Sequence, residues 1–129
     1  MLIVPIYASI LALLFFILSV RIVRLRHKFR TSLGDAGHLM LQRAIRAHSN
    51  FAEYVPLCLL LLYFVEISGA NRTFIHGLGI CLMLGRISHA YSISQVNESL
   101  KFRVIGMALT FFPLLASSIY LLYRNVSHL

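Results

Sequence analysis

Apolar residues in this chain fall into four blocks separated by short polar connections. They are 2-LIVPIYASILALLFFILSV-20, 51-FAEYVPLCLLLLYFV-65, 73-TFIHGLGICLMLG-85 with a less apolar continuation to about Gln95, and 104-VIGMALTFFPLLASSIYLLY-123. A hydrocarbon core about 30 Å thick takes roughly 20 residues of helix at about 1.5 Å each. Blocks one and four reach that length alone, and blocks two and three reach it with their flanks. The pattern predicts helices over about 4–30, 39–66, 73–95 and 99–124. Gly34-Asp35-Ala36-Gly37 breaks the first, and the turn signals of 67-ISGANR-72 end the second. Asn97 or Ser99 is placed to cap the fourth, with Glu98 in its first turn. Pro113 falls inside that helix, which neighbouring helices tolerate in a membrane. The expectation is an all-α, four-helix integral membrane bundle, one domain over residues 1–129.

Composition sharpens this. The 129 residues are 59% hydrophobic, with a mean hydropathy of +0.81, where a soluble domain holds about 45–50% apolar residues. A net charge of +8 could suggest nucleic acid, but its placement argues against that partner. Seven of twelve Lys and Arg lie between Arg21 and Arg46, and Arg86, Lys101 and Arg103 flank the third connection. Only Arg72 and Arg124 fall at the opposite ends. Such bias orients membrane proteins with the basic loops inside. The expectation is a multi-pass protein with its N-terminus out and the first and third connections in the cytoplasm. The same basic surface can attract anionic lipid. Block one lacks the positive n-region of a secretory signal and is followed by its charges, so it reads as an uncleaved span. Cys58 and Cys81 lie inside apolar spans and read as small buried hydrophobes; no metal-ligand spacing occurs.

The polar residues of 43-RAIRAHSNFAEYVP-56 need another explanation. Arg46, Asn50, Glu53 and Tyr54 stand at helical spacings of three, four, seven and eight and share a face, with Arg43 one turn back. An interfacial anchor accounts for Arg43, Arg46 and Tyr54. It does not account for Asn50 and Glu53, because an ionisable group near the hydrocarbon edge is a site candidate by default. The third helix adds Arg86 and His89 on one face, with Tyr91 to the side. The fourth adds Lys101 and Arg103, and the first Arg21, Arg24, Arg26 and Arg30. Basic groups from all four helices at one level, beside a carboxylate, an amide and a phenol, suit a small ligand with several carboxylates and an amine.

These residues carry a resemblance. The segment 46-RAHSNFAEYVP-56 resembles the R-A-x-x-N-x-x-E-Y-x-P motif of the MAPEG family, membrane-associated proteins in eicosanoid and glutathione metabolism. The likeness extends through 26-RHKFRTSLGD-35, 84-LGRISHAY-91 and 103-RVIGMALTF-111, covers essentially the whole chain, and is closest to the short bacterial members. It implies a homotrimer in a bacterial inner membrane, with glutathione as co-substrate in inter-subunit sites facing the cytoplasm. Carried over by position, Arg46 would pair with a glutathione carboxylate and Glu53 with its amino group. Asn50 and Tyr54 would add hydrogen bonds, Arg26 would reach the ligand from the first helix, and Arg86 falls on a family arginine. Arg103 matches the catalytic arginine at the thiol. His89 stands where leukotriene-forming members have a tyrosine, and Tyr91 is displaced, so leukotriene synthesis is not implied.

The function so implied is a glutathione S-transferase, with or without peroxidase activity, acting on hydrophobic electrophiles from the bilayer. The alternative is a glutathione- or lipid-binding membrane protein without efficient turnover, because binding residues serve both. A small four-helix drug exporter would carry a carboxylate in its first span, and this chain has none there.

Overall fold

The computed structural model describes residues 1–127 and contains four helices: α1 (Val4–Phe29), α2 (Leu39–Ile67), α3 (Arg72–Ser94) and α4 (Leu100–Val126). Short links make sequential helices antiparallel neighbours. α2 and α3 form the middle of the bundle and α1 and α4 flank them, with no close backbone approach between α1 and α4 among the described residues.

Each helix end has a local cause. Pro5 sits in the first turn of α1, where its missing N–H costs nothing. The helix stops at Phe29 because Arg30 turns left-handed (φ 51°) and the Thr31 amide bonds back to the Arg26 carbonyl at 3.0 Å. The glycine-containing segment thus lies beyond the break, in a loop where Gly34 and Gly37 also take positive φ. Asn71 caps α3 by accepting from the Thr73 amide at 2.8 Å. Ser99 is the N-cap of α4 but makes no side-chain bond there, and Glu98 precedes it instead of lying in the first turn. The Glu98 carboxylate is drawn away to arginines described below.

α1, α2 and α4 are long and apolar enough to cross a membrane, yet only 17–28% of their most apolar stretches is buried. Leu13, Phe16, Leu115 and Leu122 point outward, the reverse of a water-soluble bundle. α3 is less apolar because its polar side chains turn inward: Arg86, His89 and Ser92 are buried. Its outward face is Ile80, Leu84, Ile87 and Tyr91, at helical spacing.

Two apolar clusters fill the interior. One, toward the basic end, joins Leu11, Leu18, Phe51, Val55, Cys58 and Leu82. The other, toward the opposite end, joins Ile3, Val4, Tyr7, Leu62, Ile75 and Leu78. There the two Glu66 oxygens accept the amides of Ile3 and Val4, the latter at 2.9 Å, so α2 caps the start of α1. Tyr7 meets His76 Nδ1 at 2.9 Å one turn further in.

α3 and α4 approach most closely, and glycine makes this possible. A Cβ on Gly85 would lie 2.9 Å from the Gly106 carbonyl oxygen, and one on Gly106 would lie 2.7 Å from the His89 nitrogen. Small residues at such crossings let backbones meet where no hydrophobic force separates helix from lipid.

Candidate functional site

Asn50 and Arg86 face each other across α2 and α3. Arg86 is fully buried, and its Nη2 donates to Asn50 Oδ1 at 2.8 Å. Its Nη1 lies 3.4 Å from Thr110 Oγ1 on α4, and the guanidinium stands 5.6 Å from the centre of the Phe51 ring. Among the described residues no carboxylate is within ion-pair reach of it. Neutral dipoles and a π-face therefore solvate this cation, a role that suits the delocalised guanidinium better than an ammonium.

Arg86 Nη2 also lies 3.3 Å from His89 Nδ1, one turn along α3. An arginine has only donors, so Nδ1 accepts and the neutral imidazole carries its hydrogen on Nε2. Arg86 and His89 thus work from one inward face, while Tyr91 is exposed and stands edge-on to Phe102.

The polar stripe on α2 divides. Asn50 turns toward Arg86, and Tyr54 packs on Phe111 of α4 with ring centres 5.5 Å apart. Arg46 and Glu53 lie on the outward edge, exposed, with no hydrogen-bond or ion-pair partner among the described residues. His48, off the stripe, bonds Ser19 at 3.0 Å and stacks on Phe15.

A second polar group gathers at the basic end. Glu98 Oε1 lies 3.3 Å from Nη1 of both Arg43 and Arg103, and its side chain is only 12% exposed. Arg43 Nη1 is also 3.3 Å from the Ile93 carbonyl, and Arg21 bonds Ser94, including its carbonyl at 3.1 Å. The end of α3 is thereby capped by arginines from two other helices, which suits the negative end of its dipole. A small cavity of about 140 Å³ opens here, lined by Gln42, Arg43, Arg46, Glu98 and Arg103 among others. The cluster can hold an anionic group against several guanidinium donors.

Arg26 lies apart from both groups. It donates to the Gly34 carbonyl at 2.9 Å and lines a wider opening of about 460 Å³ with His27 and Arg30. Within one chain, then, Arg46 and Arg103 border one cavity, Asn50, Arg86 and His89 form one network, and Arg26, Glu53 and Tyr91 join neither. Thr110 and Glu98 are contributors that spacing alone did not single out, while Arg43, one turn back on the α2 stripe, joins Glu98 instead of Asn50. Thr110 looks like an ordinary helix residue, and Glu98 like a capping acid.

A model of the MAPEG family matches residues 4–123. The inner membrane protein YecN of Escherichia coli K12 is 39% identical over 109 residues, which make up 84% of this chain and 82% of that protein. The inner membrane protein YecN of Escherichia coli O6:H1 matches to the same extent.

Proposed function

The chain belongs to the MAPEG family, and on that premise we propose that it is a membrane-bound glutathione transferase acting on hydrophobic electrophiles. The observation that carries this reading is the pair Arg46 and Glu53. They stand exposed and unpartnered among the described residues, seven positions apart on one edge of α2, which is about 10 Å of helix. A carboxylate left alone in the bilayer costs up to about 3 kcal/mol near its centre, and less toward the edge. A zwitterionic tripeptide relieves both charges, with a carboxylate on Arg46 and the ammonium on Glu53. Tyr54 borders the same ligand, and Asn50, held by Arg86, offers its free amide hydrogens.

The other wall of the site comes from a second copy in a homotrimer, which also covers part of the outward α2 edge. Arg26, on the first helix, reaches the ligand across that interface. α3 serves as a fourth span, its Ile80, Leu84, Ile87 and Tyr91 face turned to lipid or to a neighbour. The protein sits in a bacterial inner membrane with its basic end toward the cytoplasm and its N-terminus outside.

Arg103 faces the thiol. A thiol of pKa about 8.5 is only about 3% thiolate at neutral pH. A guanidinium that brings it to about 6.5 raises that fraction about twenty-five-fold. Lower basicity weakens the nucleophile with a slope near 0.45, leaving a net gain of about threefold. The larger share of the acceleration comes from holding sulfur against an electrophile delivered by the bilayer. With an aromatic chloride, sulfur forms the new bond to carbon, chloride leaves, and the thiol proton passes to water.

Calorimetric titration of the detergent-solubilised protein with glutathione tests the reading. The wild type should bind, and Glu53→Gln should bind at least about tenfold more weakly, the worth of one charge-assisted hydrogen bond. A wild type that releases no binding heat, or a Glu53→Gln variant of equal affinity, contradicts it. Conversion of a generic aromatic chloride then separates turnover from binding alone.

A further inference from the structure

Glu98 is an acid at the basic end that the proposed ligand does not use, and its surroundings are unusual. It lies in the link between α3 and α4, between exposed Asn97 and Ser99, yet its own side chain is nearly buried. One oxygen serves both Arg43 of α2 and Arg103 of α4 at 3.3 Å. Arg43 is anchored in turn on the Ile93 carbonyl at the end of α3. A single carboxylate thus ties together the ends of three helices. Glu98 precedes the first residue of α4, so the contact with Arg103 is not the exposed i, i+4 pair of a helix surface. It crosses the opening turn, where a negative charge also meets the positive end of the α4 dipole.

Arg103 needs such a tether. Its side chain is 43% exposed, and Glu98 is the only side chain that it bonds among the described residues. A long flexible side chain without that contact would distribute over many rotamers. Arg43, by contrast, is held at two points.

We propose that Glu98 is the positioning residue for Arg103: bridged to Arg43, it fixes the guanidinium at the mouth of the cavity shared with Arg46. The bearing on the thiol rests on the glutathione reading above. The tether itself does not.

Two readouts separate these levels, applied to the wild type, Glu98→Ala and Glu98→Gln in detergent. The first needs no glutathione: modification of each arginine by phenylglyoxal, followed by peptide mapping. Loss of the carboxylate should speed modification of Arg103 relative to Arg46 by about tenfold in Glu98→Ala, the worth of one charge-assisted hydrogen bond. Glu98→Gln keeps the shape and an acceptor, and should fall between. Arg103 rates equal in all three proteins overturn the tether. The second is the ultraviolet thiolate absorbance of bound glutathione at saturation. It should drop severalfold in Glu98→Ala, with the dissociation constant nearly unchanged, and be partly restored in Glu98→Gln. A signal equal to wild type in both variants overturns the link to the thiol. A change in affinity without a change in thiolate fraction does the same, because it marks a merely structural role. If the wild type binds no glutathione, the functional reading falls, and with it the link to the thiol, while the modification rates still decide the tether.

Discussion

Arg86 on α3 donates to Asn50 on α2 at 2.8 Å, and the arginine is completely shielded from solvent. The pair makes Asn50 a structural partner as well as a candidate ligand group.

Removing the amide should therefore harm the fold. Asn50→Leu leaves one donor of a buried cation unmatched, which costs about 2–4 kcal/mol. Asn50→Asp keeps the acceptor and adds a counter-charge, and should stay within about 1 kcal/mol of wild type. Thermal unfolding in detergent measures both. A Leu variant as stable as the parent would mean that Arg86 finds another acceptor.

The α3–α4 crossing gives a sharper contrast. A methyl group on Gly106 would press on the His89 backbone, while one on Gly77 would meet nothing within 4 Å. Gly106→Ala should destabilise by about 1–3 kcal/mol, because backbone cannot yield as a side chain does. Gly77→Ala, in an exposed helical position, should stabilise by up to about 1 kcal/mol. Equal melting temperatures for the two variants would refute this account of the crossing.

Arg103 should affect the thiol more than the affinity. Arg103→Ala is expected to abolish the thiolate absorbance of bound glutathione while sparing binding. Arg103→Lys should restore part of the signal, since a point charge replaces the fork. An Ala variant with an undiminished signal removes Arg103 from the mechanism.

Glu66, at the opposite end of the bundle, should behave differently again. Glu66→Ala exposes the Ile3 and Val4 amides, and lost caps of this kind cost about 1 kcal/mol. Hydrogen exchange at those two amides should accelerate while glutathione affinity stays at the wild-type value. Protection that persists in the variant would show that the cap contributes little.

The sequence displays the fold more openly than the site. Four apolar blocks and the breaks between them announce four helices, because bilayer thickness sets a length that composition must meet. The pairing of Arg86 with His89 is also visible, since three residues is a helical neighbour distance. The division of the α2 stripe is not. Whether Asn50 or Glu53 turns inward depends on Arg86, distant along the chain, and on where α4 crosses. Glu98 is concealed for a similar reason: beside a helix start, an acid resembles a cap, and only the folded chain brings Arg43 to it. Glu66 resembles an interfacial charge until the start of α1 arrives beside it.

That last arrangement has a mechanical meaning. α1 is fastened at one extremity by Glu66 and the Tyr7–His76 bond, and near the other by Arg21 on Ser94. Between these lashings it rests on α2 along a shallow seam of about 270 Å³ that includes Ala8, Ala12, Ala52 and Pro56. The Ser19–His48 bond and the stacking of Phe15 on His48 lie between these two points. Sliding α1 along its neighbours would break all of these contacts together, so the first span keeps its register against the bundle.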